Sequence, residues 1–342
     1  YYADHRRQTF DMVLDATSKM ARDICLPIHQ EMDAAAPTLD DGIVKVHPQV
    51  RRFMRACGEG GWIAADFPYE LEGEQLPQLV SCACRYIFTA ANYSLSVYPF
   101  LTAGAAHLIA AFGDETLRQA YLPPMLAGRW QGTMALTEPE AGSSLSDIVT
   151  TAVPSDEGHY RIQGKKIFIS AGDHDGVDNV VHLLLARIEG APAGVKGISL
   201  FVVPKLRPEA GGTLVPNDVT VSQIYHKLGY RGCPITELEF GQGGDCRGWL
   251  VGDPHRGLRY MFQMMNEARI EVGAGAAAIA QAAYGAALDY TRLRPQGRAL
   301  GDKDPAKPQI PIIAHADVRR MLLFQKAIVE GSLSLIMQCA QY

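Results

Sequence analysis

Between Trp130 and Gly244 the sequence changes texture, and this change constrains the fold more than any single motif. Short β-rich runs such as Val180 to Ala186 and Ile198 to Val203 are separated there by Gly, Pro and Asp clusters, which reads as a compact β-domain. Residues 1 to 128 run at helical spacing instead, with Phe10, Met12, Val13, Ala16 and Met20 on one face and Pro27, Pro48 and Pro68 as punctuation. After Asp253-Pro254 the helical pattern returns. Gly257 to Arg294 reads as one long helix rich in Ala and Met, a Gly/Pro/Lys/Asp loop covers Gly297 to Pro311, and a further helix begins near His315. The predicted order is an all-α segment (1–128), a central β segment (129–253) and a second helical segment (254–342), a mixed α and β fold. Val318, Met321, Leu322, Ile328, Leu335 and Ile336 in the last helix need a partner that the chain barely supplies, so the third domain reads as cut short.

Two stretches of the β segment carry the chemistry. M-A-L-T-E-P-E-A-G-S (Met134 to Ser143) and G-K-K-I-F-I-S (Gly164 to Ser170) both read as strands that run into hydroxyl-bearing turns. Pro139 ends ladder bonding and Gly142 permits a close backbone approach, so Thr137, Gly142 and Ser143 line a loop of exposed donors. The first stretch lacks Lys and Arg, which argues against a bare phosphate clamp. Backbone and hydroxyl donors suit a planar ring and its pyrophosphate, and a flavin fits that description.

Composition excludes other classes. The formal net charge is -5, with 47% hydrophobic and 20% charged residues, so neither a nucleic-acid footprint nor a polybasic membrane patch is expected. No stretch reads as the uninterrupted apolar run of about 20 residues that a spanning helix needs, and no membrane insertion is expected. The N-terminus, Y-Y-A-D-H-R-R, shows no signal-peptide core. Seven scattered cysteines (25, 57, 82, 84, 233, 246 and 339) lack zinc or disulfide spacing, which points to a reducing cytoplasm. Gly273 to Ala278 matches a loose dinucleotide fingerprint but lies inside a helix, where small residues serve close packing. Asp173-His174-Asp175 cannot easily converge on one metal ion and reads as a polar turn, with His174 near a substrate mouth.

With the α, β, α order and both motifs in place, the sequence resembles the acyl-CoA dehydrogenase family over nearly its whole length. K-L-G-Y-R-G-C-P (Lys227 to Pro234), N-E-A-R (Asn266 to Arg269) and R-P-Q-G-R (Arg294 to Arg298) add to the match. Ala90 to Ala105, Phe168 to Asp175 and Val318 to Leu323 look most like the 3-methylmercaptopropionyl-CoA dehydrogenase branch. The resemblance implies an N-terminal helical domain, a β-barrel-like central domain and a C-terminal helical bundle. It also implies FAD, an acyl-CoA substrate oxidised to a trans-2-enoyl-CoA, electrons passed to an electron-transfer flavoprotein, and a homodimer or homotetramer. Rival readings are an acyl-CoA oxidase and an alkylation-response flavoprotein that binds DNA, the latter disfavoured by the acidic charge.

The resemblance also assigns roles. Thr137 is expected to bond the pyrimidine edge of the flavin, with Met134 and the Leu136 backbone as neighbours. Gly142 and Ser143 approach the pyrophosphate, and Ser143 also touches the CoA arm. Phe168 stands where many relatives carry Trp against the isoalloxazine, and Ser170 where they often carry Thr near N5, with Ile169 between them. Asn266 and Arg269 are expected to bind substrate, and Arg294 and Gln296 to reach the FAD of a neighbouring subunit. Some relatives carry the catalytic glutamate immediately before the helix arginine; here that position is Ala268. Glu267, one residue away and turned by about 100°, is expected to face elsewhere. The base is therefore expected beyond residue 342.

Overall fold

In the computed structural model, which describes residues 2–209, 211–302 and 304–341, the chain opens with helices α1 (Arg7–Met20), α2 (His29–Ala34), α3 (Gln49–Glu59), α4 (Gln78–Ala91), α5 (Tyr93–Phe112) and α6 (Glu115–Leu126). Positions 1 and 342, the outer bounds expected for the first and third segments, lie outside the described residues. The Asn92 side chain accepts from the Leu95 N–H at 3.1 Å, and Asp114 accepts from the Leu117 N–H at 2.8 Å, so α5 and α6 each begin with a capped donor.

This region is not all helix, as the spacing of its apolar residues suggested. Strands β1 (Thr38–Asp40) and β2 (Ile43–Lys45) pair antiparallel around Asp41 and Gly42, which have φ of 49° and 76°. A turn of that handedness matches the twist of hairpin strands and favours Asp-Gly. The D-D-G at 40–42 was the available signal.

The β segment supplies β3 (Trp130–Ala135), β4 (Thr151–Pro154), β5 (Tyr160–Ser170), β6 (Asn179–Ile188), β7 (Ile198–Pro204), β8 (Leu206–Pro208), β9 (Leu214–Pro216), β10 (Val219–Ile224), β11 (Ile235–Phe240) and β12 (Arg247–Leu250). The main sheet runs β10, β11, β5, β12, β7, β6, β3, antiparallel except for the β6–β3 pair. Strand β4 pairs with both β5 and β6, so β5, β12, β7, β6 and β4 close on themselves. Closure removes the free edges of those strands. Ile162, Ile169, Leu184, Phe201, Leu238 and Phe240 fill the interior.

Helix α5 ties this barrel to the other helices. Thr102 Oγ1 accepts the Gly132 N–H at 3.1 Å, and Gln131 Nε2 donates to the Tyr98 carbonyl at 3.0 Å. The approach is close enough that a Cβ on Gly132 would meet Ala105 at 2.6 Å. Contrary to the sequence expectation, α5 is long and apolar enough to cross a bilayer. Its Leu95, Phe100, Leu108 and Ile109 are buried in the protein core.

Helix α7 (Gly257–Leu293) spans 37 residues, about 55 Å at 1.5 Å per residue, and α8 (Ala316–Gln341) follows. Ile336, Met337 and Ala340 of α8 pack with Cys82 and Tyr86 of α4 and with Ala274, Ala277 and Ala278 of α7. The apolar face of α8 is thus divided: Leu322 is buried, whereas Met321, Ile328 and Leu335 are exposed.

Candidate functional site

The two motifs meet at the end of the barrel. The Ile167 N–H donates to the Thr137 carbonyl at 2.9 Å, which places the Thr137 loop beside the last turn of β5. Beneath it, Lys166 Nζ donates to the Leu136 carbonyl at 2.9 Å and to Glu138 Oε1 at 2.8 Å. Glu138 also accepts the backbone N–H groups of Val149 (2.6 Å) and Thr150 (3.1 Å) and the Thr150 hydroxyl (2.5 Å). Burial pushes the Glu138 carboxyl up, but the Lys166 charge and these donors outweigh it and hold it below the usual range. Burial brings the Lys166 ammonium down to about 8, against the pull of Glu138. Both residues escaped the sequence reading. The signal was a lysine within an apolar strand and a glutamate just before a proline.

Glu138 and Ala141 exchange backbone bonds at 3.0 and 3.1 Å, which leaves Gly142 and Ser143 on an exposed tip. A Cβ on Gly142 would meet only Thr137 Cγ2 at 3.8 Å, so the protein itself does not require glycine there. Met134 is half-buried against the main core. The Leu136 side chain is buried, and its carbonyl is engaged by Lys166.

Phe168 is the strained point of the site. Pairing between β5 and β11 slips between Thr236 and Leu238, so Ile167 and Phe168 together oppose Glu237 in a bulge. Phe168 takes φ of 59° there, a left-handed conformation that costs a side-chain-bearing residue about 1–2 kcal/mol. Its ring is 57% exposed and lies 4.8 Å from Tyr225. Ile169 departs from its expected role: its side chain is inside the barrel and its carbonyl accepts from Thr236 Oγ1 at 3.1 Å. Alternation after the bulge sends residue 169 inward and residues 168 and 170 outward.

Ser170 opens into a cavity between α4, α5 and α7, with room of about 170 Å³. From the loop after β10, Tyr230 joins it, its ring 4.9 Å from Tyr93, and Tyr93 in turn packs against Gly275 of α7. A Cβ on Gly275 would meet the Tyr93 ring at 2.8 Å, so Gly275 serves close packing as expected, whereas a Cβ on Gly273 would meet nothing within 4 Å. Lys227 sits 3.4 Å from the Tyr230 ring centroid and donates to the Cys233 carbonyl at 2.6 Å. Burial lowers its ammonium to about 8.

Glu267 and Ala268 both line this cavity, which corrects the expectation that they face apart. The cavity follows α7 from residue 267 to 274, so it spans more of the helix face than one 100° step. Glu267 is also the end of a chain of alternating charges. Its Oε2 lies 2.9 Å from His107 Nδ1, His107 Nε2 lies 3.2 Å from Asp66 Oδ1, and Asp66 Oδ2 accepts from Arg85 at 3.2 Å. Arg85 then pairs with Glu271, one helical turn beyond Glu267. Burial pulls His107 down, but hydrogen bonds to Asp66 and Glu267 win and raise it to about 9. For Glu271 burial dominates and the Glu267 and Asp66 charges add to it, so its carboxyl stays above the usual range despite Arg85. None of Asp66, Arg85, His107 and Glu271 was singled out from the sequence, because they are distant in the chain and meet only through packing.

Other expected residues lie outside the cavity. Asn266 and Arg269 are exposed on α7, with Arg269 Nη1 donating to Asn266 Oδ1 at 2.6 Å. Arg294 is 25 residues further on, about 37 Å along the helix, and its side chain and that of Gln296 are exposed. Within one chain these two are not brought to the Thr137 loop. His174 is not at the cavity either; it is buried edge-on to Tyr98 at 4.9 Å, with burial pushing it down to about 3. Asp173 pairs with Lys205 and Asp175 with Lys45, so the triplet diverges.

Comparison with known proteins gives this arrangement its class. Residues 7–129 match the family model for the acyl-CoA dehydrogenase N-terminal domain, and residues 133–242 match that for the middle domain. The chain is 41% identical over 323 residues to 3-methylmercaptopropionyl-CoA dehydrogenase of Ruegeria pomeroyi, an alignment covering 94% of this chain and 54% of that protein. Among solved structures, a chain from the electron transferring flavoprotein study of Acidaminococcus fermentans superposes with a TM-score of 0.80 at 25% identity, covering 98% of this chain and 79% of that one. An acyl-CoA dehydrogenase complexed with FAD from Bacillus anthracis superposes with a TM-score of 0.77 at 22% identity, covering 98% and 51%. The chain belongs to the acyl-CoA dehydrogenase family, a family of oxidoreductases that binds FAD. It spans about half the length of the curated relatives it matches.

Proposed function

We propose that the protein carrying this chain oxidises an acyl-CoA thioester to its trans-2-enoyl-CoA, with FAD held between the barrel end and the cavity. One observation carries the reading: the Thr137–Ser143 loop, the outward ring of Phe168 and the cavity-lining Ser170 are grouped at one end of the barrel. The half-buried hydroxyls of Thr137 and Ser170, the exposed one of Ser143, an exposed aromatic and a glycine that the fold itself does not require fit a polar-edged planar ring. FAD, when bound, supplies the hydride acceptor.

The chain's own residues bind and orient. Thr137 and Ser143 offer hydroxyl donors to the ring edge and pyrophosphate, and Phe168 covers the ring. Ser170 and Tyr230 define where the thioester end enters, and the walls of α4, α5 and α7 exclude water from the acyl group. Ala268 has no proton to move. Glu267 and Glu271 are each ion-paired, so we assign proton abstraction to a carboxylate beyond residue 342. Asn266 and Arg269 bind the CoA arm, Arg294 and Gln296 reach the FAD of a neighbouring subunit, and an electron-transfer flavoprotein takes the electrons. The 3-methylmercaptopropionyl group in the name of the Ruegeria relative suggests the acyl class.

Anaerobic titration of the FAD-loaded full-length protein with acyl-CoA thioesters, the methylthio-propionyl one included, tests this reading. Bleaching of the oxidised flavin spectrum is the expected result. Failure of every thioester would overturn it, and rapid recovery of colour in air would move the protein to the oxidases.

A further inference from the structure

The α4 residues that line the cavity are Gln78, Cys82, Arg85 and Thr89, spaced four, three and four apart, so they form one stripe of the helix. A long alkyl chain calls for an unbroken apolar wall; Cys82 belongs to the apolar cluster of α4, α7 and α8, but Gln78, Arg85 and Thr89 interrupt this stripe with polar groups. Val97, Phe100 and Leu101 of α5 and Ile270 and Val272 of α7 make most of the remaining lining apolar, so Arg85 and Glu271 are charges set into an otherwise largely apolar wall. The contacts order the space. Ser170 and Tyr230 line it from the barrel side, Tyr93 packs on Tyr230 and on Gly275 of α7, and Glu271, one helical turn before Gly275, lines the same cavity with Arg85.

Arg85 cannot swing aside to make room. Its guanidinium is bonded to both Asp66 and Glu271, lies 5.5 Å from the Phe100 ring centroid, and the side chain is 6% exposed. Glu271 faces the cavity with 26% of its side chain open. A methylene chain laid over this pair would strip the remaining water from Glu271, and the gain from each buried methylene is small beside that loss.

Resting on the acyl-CoA reading above, we infer that the Arg85–Glu271 pair limits the acyl specificity of this cavity: it admits short acyl groups and turns away long unbranched ones. Arg85 here is a wall and not an anion receptor, since the two carboxylates it bonds through Nη1 and Nη2 already match its charge. The pair acts through the ground-state complex, so it discriminates in binding as well as in turnover.

Calorimetric binding of crotonyl-CoA and trans-2-decenoyl-CoA to the FAD-loaded full-length protein tests this without turnover. Wild type is expected to favour crotonyl-CoA by roughly 10²-fold. In Arg85→Met/Glu271→Leu, which replaces a buried ion pair by apolar side chains of similar size, the ratio falls to roughly tenfold or less. Equal affinities in wild type, or an unchanged ratio in the folded double variant, overturn the inference and leave the acyl-CoA reading standing. If the double variant does not fold, Glu271→Gln keeps a hydrogen bond to Arg85 and removes the charge; a ratio unmoved by that change equally overturns it. Absence of binding by either thioester overturns the acyl-CoA reading and the inference with it.

Discussion

Lys166 Nζ lies 2.8 Å from Glu138 Oε1, and neither side chain is more than 3% exposed. The pair joins β5 to the Thr137 loop, so the two halves of the proposed cofactor site share one buried charge contact. Lys166→Met leaves Glu138 buried without its counter-charge and is expected to cost about 3–5 kcal/mol. Adding Glu138→Leu recovers part of this, because the Val149 and Thr150 donors still lose their acceptor at about 1–3 kcal/mol. Urea unfolding of the two variants checks the order. A single variant as stable as wild type would show that the pair does not hold the loop.

His107 gives the fold an alkaline weakness. Its proton is held up to about 9 in the folded chain by Asp66 and Glu267, against an ordinary value of 6.5. The folded protein therefore keeps a proton between these pH values that the unfolded chain releases, and stability falls as pH rises through that window. The contribution is whole below pH 6.5 and is lost above about 9; it amounts to about 3 kcal/mol. The stability lead of wild type over His107→Gln, measured by denaturation at pH 6, 7.5 and 9, should shrink across the series, because groups shared by both proteins, such as His174 and Lys166, cancel in the difference. Parallel series would remove His107 as the cause.

How far the sequence was legible follows from the range of each interaction. Gly257 to Arg294 shows as a helix because its signal is local, and the structure ends that helix at Leu293. The hairpin around Asp41 and Gly42 is equally local but short, and the helical spacing on either side hid it. Thr137, Phe168 and Ser170 stand out in the sequence because each lies in a contiguous motif, and the fold groups them at one end of the barrel. Ile169 was swept along by adjacency, and a one-residue bulge decides which of the three faces inward. Asp66, Arg85, His107 and Glu271 had no such signal. They converge from α4, α5, α7 and the loop after α3, and their charges acquire meaning only once those elements are packed.

Phe168 should separate stability from cofactor affinity. Phe168→Gly relieves the left-handed backbone at φ 59° and, its side chain being 57% exposed, forfeits little burial, so the apo protein is expected to gain up to about 1 kcal/mol. The same change removes the proposed ring contact and should weaken FAD binding by about tenfold, read from flavin fluorescence. Phe168→Val, β-branched at positive φ, should lose on both counts. FAD binding unchanged in the glycine variant would detach Phe168 from the cofactor.

Two glycines on α7, two residues apart, should respond to the same substitution with opposite sign. A Cβ on Gly273 meets nothing within 4 Å, so Gly273→Ala exchanges a poor helix former for the best one and is expected to stabilise by about 0.5–1 kcal/mol. A Cβ on Gly275 meets the Tyr93 ring at 2.8 Å, and that ring is held in turn against Tyr230 beside Ser170. Gly275→Ala must displace Tyr93 and is expected to cost about 1–3 kcal/mol. Its effect should also reach the cavity, because Tyr93 lines it beside Tyr230. Thermal unfolding of the two variants decides the signs, and crotonyl-CoA affinity decides the reach. Equal stabilisation by both would mean that Tyr93 yields freely and does not shape the cavity.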